Sequence, residues 1–195
     1  MIKHLKDEWL NELKKDYSEL ELKRANYVAT SFVYEITKLI MLLIIFGLLG
    51  RLPDFFICLL FVMPVRIFSG GLHFNHYISC FLFTFVFFAA PIFLLNHIRV
   101  STTVEICSLC TLTAILFFIG PVISKKRPPI KKKAYQKFLT ITICFLLVDI
   151  ICFLLFPDFP CRTSAYWILI LHFLQLFAAR IQAWIEKREV VTDTP

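Results

Sequence analysis

Six long apolar runs dominate this sequence and leave few architectures open to it. A run of about 20 apolar residues can cross the hydrocarbon core of a membrane as a helix, because a helix bonds its backbone polar groups internally. The chain is also 58% hydrophobic over 195 residues, more than a soluble domain of this length needs for its core. The sequence therefore predicts an all-α polytopic integral membrane protein of about six transmembrane helices, at 29–49, 53–68, 77–96, 101–123, 138–156 and 163–180.

The segment before the first run is amphipathic. Between residues 2 and 20 an apolar side chain recurs every three or four positions, and charged residues fill the opposite face. This pattern predicts an interfacial helix within segment 1–26, lying either on the membrane surface or on the protein's own cytosolic face. The six-span membrane domain is then expected at 27–182 and a cytosolic tail at 183–195.

Basic residues are distributed unevenly along the chain, and this sets the expected topology. If the N-terminus is cytosolic, 17 Lys and Arg residues fall in cytosolic segments, whereas only Arg51, Arg99 and Arg162 fall on the other side. The positive-inside rule therefore predicts a cytosolic N-terminus, and an even number of spans returns the C-terminus to the same side. The connection between the second and third spans is then also cytosolic.

That connection, residues 66–80, reads RIFSGGLHFNHYISC and concentrates chemically useful groups. The pair Gly70-Gly71 allows backbone angles that are closed to other residues and lets another chain approach closely. Cys80 is a candidate nucleophile, because a thiolate attacks a carbonyl carbon once a base has taken its proton. His73 and His76 are the candidate bases.

Helical spacing leaves the choice of base open. In a continuous helix Arg66, His73 and Cys80 would share one stripe, but seven residues would separate the imidazole from the thiol by about 10 Å. His73 can therefore serve Cys80 only if the chain bends between them. His76 stands four residues before Cys80 and would meet it without a bend.

Three further residues are candidates for supporting roles. Thr84, one turn after Cys80, could donate to an oxyanion, although a Thr often bonds its own helix carbonyl instead. Arg66 could hold a substrate carboxylate or mark the membrane boundary. Asp149 lies deep in the fifth span, where a carboxylate is costly. It could orient the imidazole, or it could pair with Lys38. Lys38 could instead pair with Glu35, three residues before it.

The loop 124–137 carries seven basic residues and a helix-breaking Pro128-Pro129 pair. It could act only as a topology determinant beside anionic lipid, or it could dock an acidic peptide. The second interpretation predicts a substrate-binding set of Lys125, Lys126, Arg127, Lys131, Lys132 and Lys133.

The string R66-x3-G70-G71-x-H73-x6-C80, followed by GPVISKKRPPIKKK, resembles the accessory gene regulator B family, the membrane-embedded cysteine peptidases of bacterial quorum sensing. The resemblance implies a multi-pass protein of the bacterial cell membrane with His73 and Cys80 as catalytic dyad. It implies a precursor signal peptide as substrate, whose acidic C-terminal tail is removed while the remainder closes into a thiolactone or lactone ring. The expected partners are this peptide, membrane lipid and a second copy in a homodimer, with no nucleic acid and no cofactor.

A transporter is the alternative class. Its pathway would use Asp149, Glu35, Lys38 and His172, with the glycine pair as a hinge. His172 and Gln175 share a face of the sixth span and could line a cavity or hydrogen-bond across helices.

The remaining cysteines favour packing over metal chemistry. Cys107 and Cys110 have zinc-like spacing, but no second pair accompanies them and both lie in an apolar run. Cys144 and Cys152 are interpreted in the same way, so no metal site is expected.

Overall fold

The computed structural model describes residues 18–72, 74, 76–122 and 132–192. The regular elements of this part are helices, and the helix Tyr77–Ala89 continues through a π-helical turn, Ala90–Leu94, into a short 3-10 turn, Leu95–His97. The predicted amphipathic helix falls almost entirely before residue 18 and so lies outside the described residues. The α-helices are α1 (Glu19–Leu48), α2 (Leu52–Ser69), α3 (Tyr77–Ala89), α4 (Thr102–Ile119), α5 (Lys132–Leu155) and α6 (Arg162–Thr192).

Five helical segments of the described chain are long and apolar enough to cross a membrane, which confirms the predicted all-α polytopic class. They contain or closely match the second to sixth predicted spans and run over Leu52–Ser69, Tyr77–His97, Thr102–Ile119, Lys132–Leu155 and Arg162–Ile185. The predicted first span lies in α1 and stays a prediction, as does the cytosolic placement of both termini.

Exposed apolar side chains on these helices suit a lipid environment. Phe118 is 85% exposed and Leu155 is 67% exposed, as expected where the solvent is a hydrocarbon chain. α5 begins at Lys132, six residues before the predicted start of the fifth span. The earlier start has a local reason, because lysine is a good helix former and its long side chain can reach the membrane interface.

The chain divides into two compact units, Met1–Leu42 and Leu43–Pro195. In the first unit, Lys38 and Glu35 lie one turn apart on α1 and form an ion pair. The structure thus confirms the alternative in which these two residues pair with each other.

In the second unit, α2 packs against α5 and α6, and α4 packs against α5. The contact surfaces are mostly apolar, and their side chains exchange lipid contacts for close interhelical packing. The core contains Phe61, Val65, Leu109, Leu116, Val122, Leu146, Ile150, Phe153, Ala165, Tyr166, Leu169, Phe173, Leu176 and Ala179.

A buried ion pair ties the start of α6 to the start of α4. The Arg162 guanidinium donates to Glu105 Oε2 at 2.6 Å from Nη2 and at 2.8 Å from Nε. Its Nη1 donates to the carbonyl oxygens of Phe153 and Phe156, at the end of α5. One arginine therefore joins three helices at the end of the unit opposite the glycine pair.

Candidate active site at the junction of α2 and α3

The helix that carries Arg66 ends at Ser69, and the next helix begins at Tyr77. Gly70 has φ 80° and ψ −152°, and its N–H donates to Arg66 O at 3.0 Å. This backbone region is essentially restricted to glycine. The chain therefore leaves helical geometry at Gly70, and His76, which stands between positions 73 and 80, has extended backbone angles.

The glycine pair allows two close approaches within the fold. Gly70 forms a parallel bridge with Val122, and Val122 N donates to Ser69 O at 2.8 Å. A Cβ on Gly70 would lie 2.0 Å from Val122 O, and a Cβ on Gly71 would lie 3.1 Å from Gln175 Nε2. In this structure the approaching groups come from the protein itself, and an approach by another chain stays a prediction.

Cys80 lies half-buried in the first turn of α3. Its N–H donates to His76 O at 3.1 Å, and its carbonyl accepts from Thr84 Oγ1 at 2.8 Å. Thr84 therefore bonds its own helix, as the alternative interpretation of this residue predicted. His76 is the N-cap of α3, has extended backbone angles and exposes its side chain.

An aromatic contact joins the segment around position 74 to α3. The rings of Phe74 and Phe83 are 5.1 Å apart between centroids, and Phe83 is followed one turn later by Phe87 at 6.2 Å. The Arg66 guanidinium lies 5.4 Å from the centre of the Phe87 ring, in cation–π range. His73 lies outside the described residues.

A row of polar side chains runs from this junction into α6. Arg66 Nη1 donates to Gln175 Oε1 at 3.2 Å, Gln175 Nε2 lies 2.8 Å from His172 Nδ1, and His172 Nε2 lies 2.8 Å from Ser69 Oγ. This confirms that the shared face of His172 and Gln175 hydrogen-bonds across helices. Sequence reasoning missed Ser69, whose only local signal is its place beside the glycine pair.

The residues that flank the basic loop on both sides lie near the same junction. Val122 bonds the end of α2, and the Tyr135 hydroxyl of α5 lies 1.9 Å from the position of a Cβ on Gly120. Lys132 and Lys133 are exposed at the start of α5. The other members of the predicted substrate-binding set lie outside the described residues: Lys125, Lys126, Arg127 and Lys131.

Asp149 lies on α5, where its Oδ2 atom is buried and finds no hydrogen-bond partner among the described residues. Its predicted role as a third catalytic residue stays a prediction. Cys107 and Cys110 are exposed free thiols on α4. The described residues contain no group of three or more His, Cys, Asp and Glu side chains that could hold a metal ion.

The fold and the junction together define a polytopic α-helical membrane protein with a half-buried cysteine beside a glycine-containing turn between two helices. A model of the family described as accessory gene regulator B matches residues 2–179, nearly the whole chain, and the protein belongs to this family. Membership supports a role in accessory gene regulator peptide processing, within quorum sensing, on a precursor peptide at the membrane. No curated protein and no solved structure matches the chain.

Proposed function

We propose that the protein is a cysteine endopeptidase that removes the C-terminal tail of a quorum-sensing precursor peptide. Cys80 is the nucleophile and His73 is the base. The observation that carries this proposal is the contact between Phe74 and Phe83, whose ring centroids lie 5.1 Å apart.

The contact bears on both proposed catalytic residues through chain geometry. Successive Cα atoms are about 3.8 Å apart, so the position of Phe74 limits how far residue 73 can lie from α3. Phe83 follows Cys80 by three residues in the same helix, and side chains at this spacing share a face. The contact between Phe74 and Phe83 thus supports the proposal that His73 acts on Cys80.

The place of Cys80 in α3 favours the chemistry. The first turn of a helix carries the positive end of its dipole, which stabilises a negative charge such as a thiolate. The Gly70 N–H already donates to Arg66 O, so it is not a donor to the oxyanion of the tetrahedral intermediate. The donors to this oxyanion come from other groups at the junction.

The proposed reaction has two stages. His73 takes the proton from Cys80, the thiolate attacks the carbonyl that joins signal and tail, and the tetrahedral intermediate collapses as the C–N bond breaks. The tail leaves as an amine with the proton from His73, and the signal portion remains as a thioester on Cys80. A thiol or hydroxyl within the bound peptide then gives its proton to His73 and attacks the thioester. This closes a thiolactone or lactone and releases the Cys80 thiolate, which regains the proton from His73.

The substrate's acidic tail is proposed to bind the basic loop. Val122 and Tyr135 hold the two ends of this loop close to the Gly70 turn and to Gly120. Opposite charges separated by a few ångströms at a membrane surface attract each other in a salt-dependent way. The loop thus holds the tail on one side of the scissile bond. A homodimer stays a prediction.

The test is co-expression with candidate precursor peptides, with release of the tail followed by mass spectrometry. Cys80→Ala and His73→Ala are expected to abolish release, whereas His76→Ala retains it. Cys107→Ala is the matched control, because it removes a free thiol exposed on another helix. Release by Cys80→Ala would refute the peptidase mechanism, and loss in His76→Ala with retention in His73→Ala would move the base to His76.

A further inference from the structure

The polar row between α2 and α6 is buried to an unusual degree for a membrane helix pair. Ser69 and His172 are fully buried and Gln175 is 4% exposed. A buried polar group without a partner is costly in a low-dielectric interior, so such rows persist when each member is bonded. Here each of the three side chains has a hydrogen-bond partner in the row, and Arg66 joins it from the last turn of α2.

The chemistry of the groups fixes the direction of these hydrogen bonds. A guanidinium only donates, so the Gln175 atom that faces Arg66 is the carbonyl oxygen, and the amide nitrogen faces His172. That amide donates, so His172 Nδ1 accepts. The proton of the neutral imidazole is then on Nε2, which donates to Ser69 Oγ.

This direction couples the orientation of the Gln175 amide to the tautomer of His172. If Nδ1 were a donor, two N–H groups would face each other, and the amide would turn its oxygen toward His172 and its nitrogen toward Arg66. The bond to Arg66 would then be lost. The orientation of a half-buried guanidinium on α2 is thus coupled to the tautomer of a buried imidazole on α6.

Gln175 also contacts the backbone of the turn. A Cβ on Gly71 would lie 3.1 Å from Gln175 Nε2, so the amide packs directly on Gly71. Arg66 in turn lies over Phe87 of α3, the helix that carries Cys80. A single side chain of α6 therefore contacts two parts of the junction, the guanidinium and the glycine turn that leads to His73.

We infer that Gln175 and His172 are positioning residues for the proposed peptidase site, acting through Arg66 and the Gly71 turn. The inference rests on the proposed function. It assigns α6 a part in catalysis. An error of about 1 Å in the placement of reacting groups can lower the rate by about a hundredfold. A small displacement of Arg66 or of the Gly71 turn is therefore enough to change the rate.

Two substitutions at His172 separate this role from mere filling of the core. The oxygen of an asparagine occupies about the place of Nδ1 and can accept from Gln175, whereas a glutamine reaches toward Ser69 and leaves Gln175 without its acceptor. His172→Asn is expected to keep most of the kcat for tail release. His172→Gln and Gln175→Leu are expected to lower kcat by about tenfold or more, with a smaller change in KM.

The control for loss of a buried polar group is Thr142→Val on α5. Thr142 is 1% exposed, and its hydroxyl bonds its own helix carbonyl at Phe138. It is expected to leave kcat near the wild-type value. If His172→Asn and His172→Gln lower kcat equally, or if kcat follows only the amount of folded protein, the positioning role is refuted.

A second measurement does not depend on activity. ¹⁵N NMR of histidine-labelled protein in lipid is expected to show His172 with a bare Nδ1 and a protonated Nε2, and to show this pattern disturbed in Gln175→Leu. The opposite tautomer in the wild type overturns the inference, whatever the kinetics. Tail release by Cys80→Ala would instead refute the proposed function. The NMR result would in that case still test the His172 tautomer independently of activity.

Discussion

Replacing Gly70 by alanine is the sharpest test of how the junction is built. The residue has φ 80° and ψ −152°, and an added Cβ would lie 2.0 Å from the carbonyl oxygen of Val122. The backbone region alone costs a non-glycine residue about 1 to 3 kcal/mol. Moving Val122 away also breaks its 2.8 Å hydrogen bond to Ser69 O, which is worth about 1 kcal/mol. The expected loss in free energy of unfolding is therefore about 2 to 4 kcal/mol.

The matched control is Gly50→Ala. Gly50 also has positive φ, at 64°, but no atom lies within 4 Å of an added Cβ. Its cost is therefore the backbone term alone, about 1 to 2 kcal/mol. Gly71→Ala is a milder contrast, because the neighbour at 3.1 Å is the end of the flexible Gln175 side chain.

The assay is an SDS unfolding titration of each purified variant in mixed micelles, followed by tryptophan fluorescence, with tail release measured in parallel. Gly70→Ala is expected to be the least stable of the three variants and to lose tail release. Equal losses of stability in Gly70→Ala and Gly50→Ala would refute the reasoning, because the contact with Val122 would then contribute nothing.

Three further predictions concern other parts of the molecule. Glu105→Gln leaves the nearly buried Arg162 without its ion-pair partner and is expected to cost about 3 to 5 kcal/mol in the same titration; a loss below 1 kcal/mol would contradict the buried pair. Burial, together with a hydrogen bond to Asp54, raises the pKa of the Cys161 thiol to about 11. Its alkylation rate is therefore expected to rise about tenfold per pH unit from pH 7 to 10, and to be higher at each of these pH values in Asp54→Asn. A rate that levels off by pH 9 would contradict this prediction. Lys133→Glu is expected to raise KM for an acidic tail severalfold at low salt and less at high salt, and to be compensated by a tail carrying lysine; an unchanged KM would argue against docking at this end of the loop.

The sequence by itself determined the architecture and the chemical types at the junction. Apolar runs of membrane-spanning length are a local property, because each helix satisfies its own backbone whatever its neighbours are. The glycine pair, two histidines and Cys80 stand within one short stretch, so their concentration is visible without a fold. The accessory gene regulator B resemblance rested on this same stretch and was confirmed over residues 2–179.

Only the tertiary structure decided what surrounds that stretch. Ser69 and His172 are 103 residues apart in the chain. Gly70 pairs with Val122 although the whole of α3 and α4 lies between them in the sequence. Helical periodicity predicts which residues share a face of one helix, but not which face of a second helix it meets. That pairing depends on the rotation and axial shift of one helix against the other, which are fixed by packing over the full length of both.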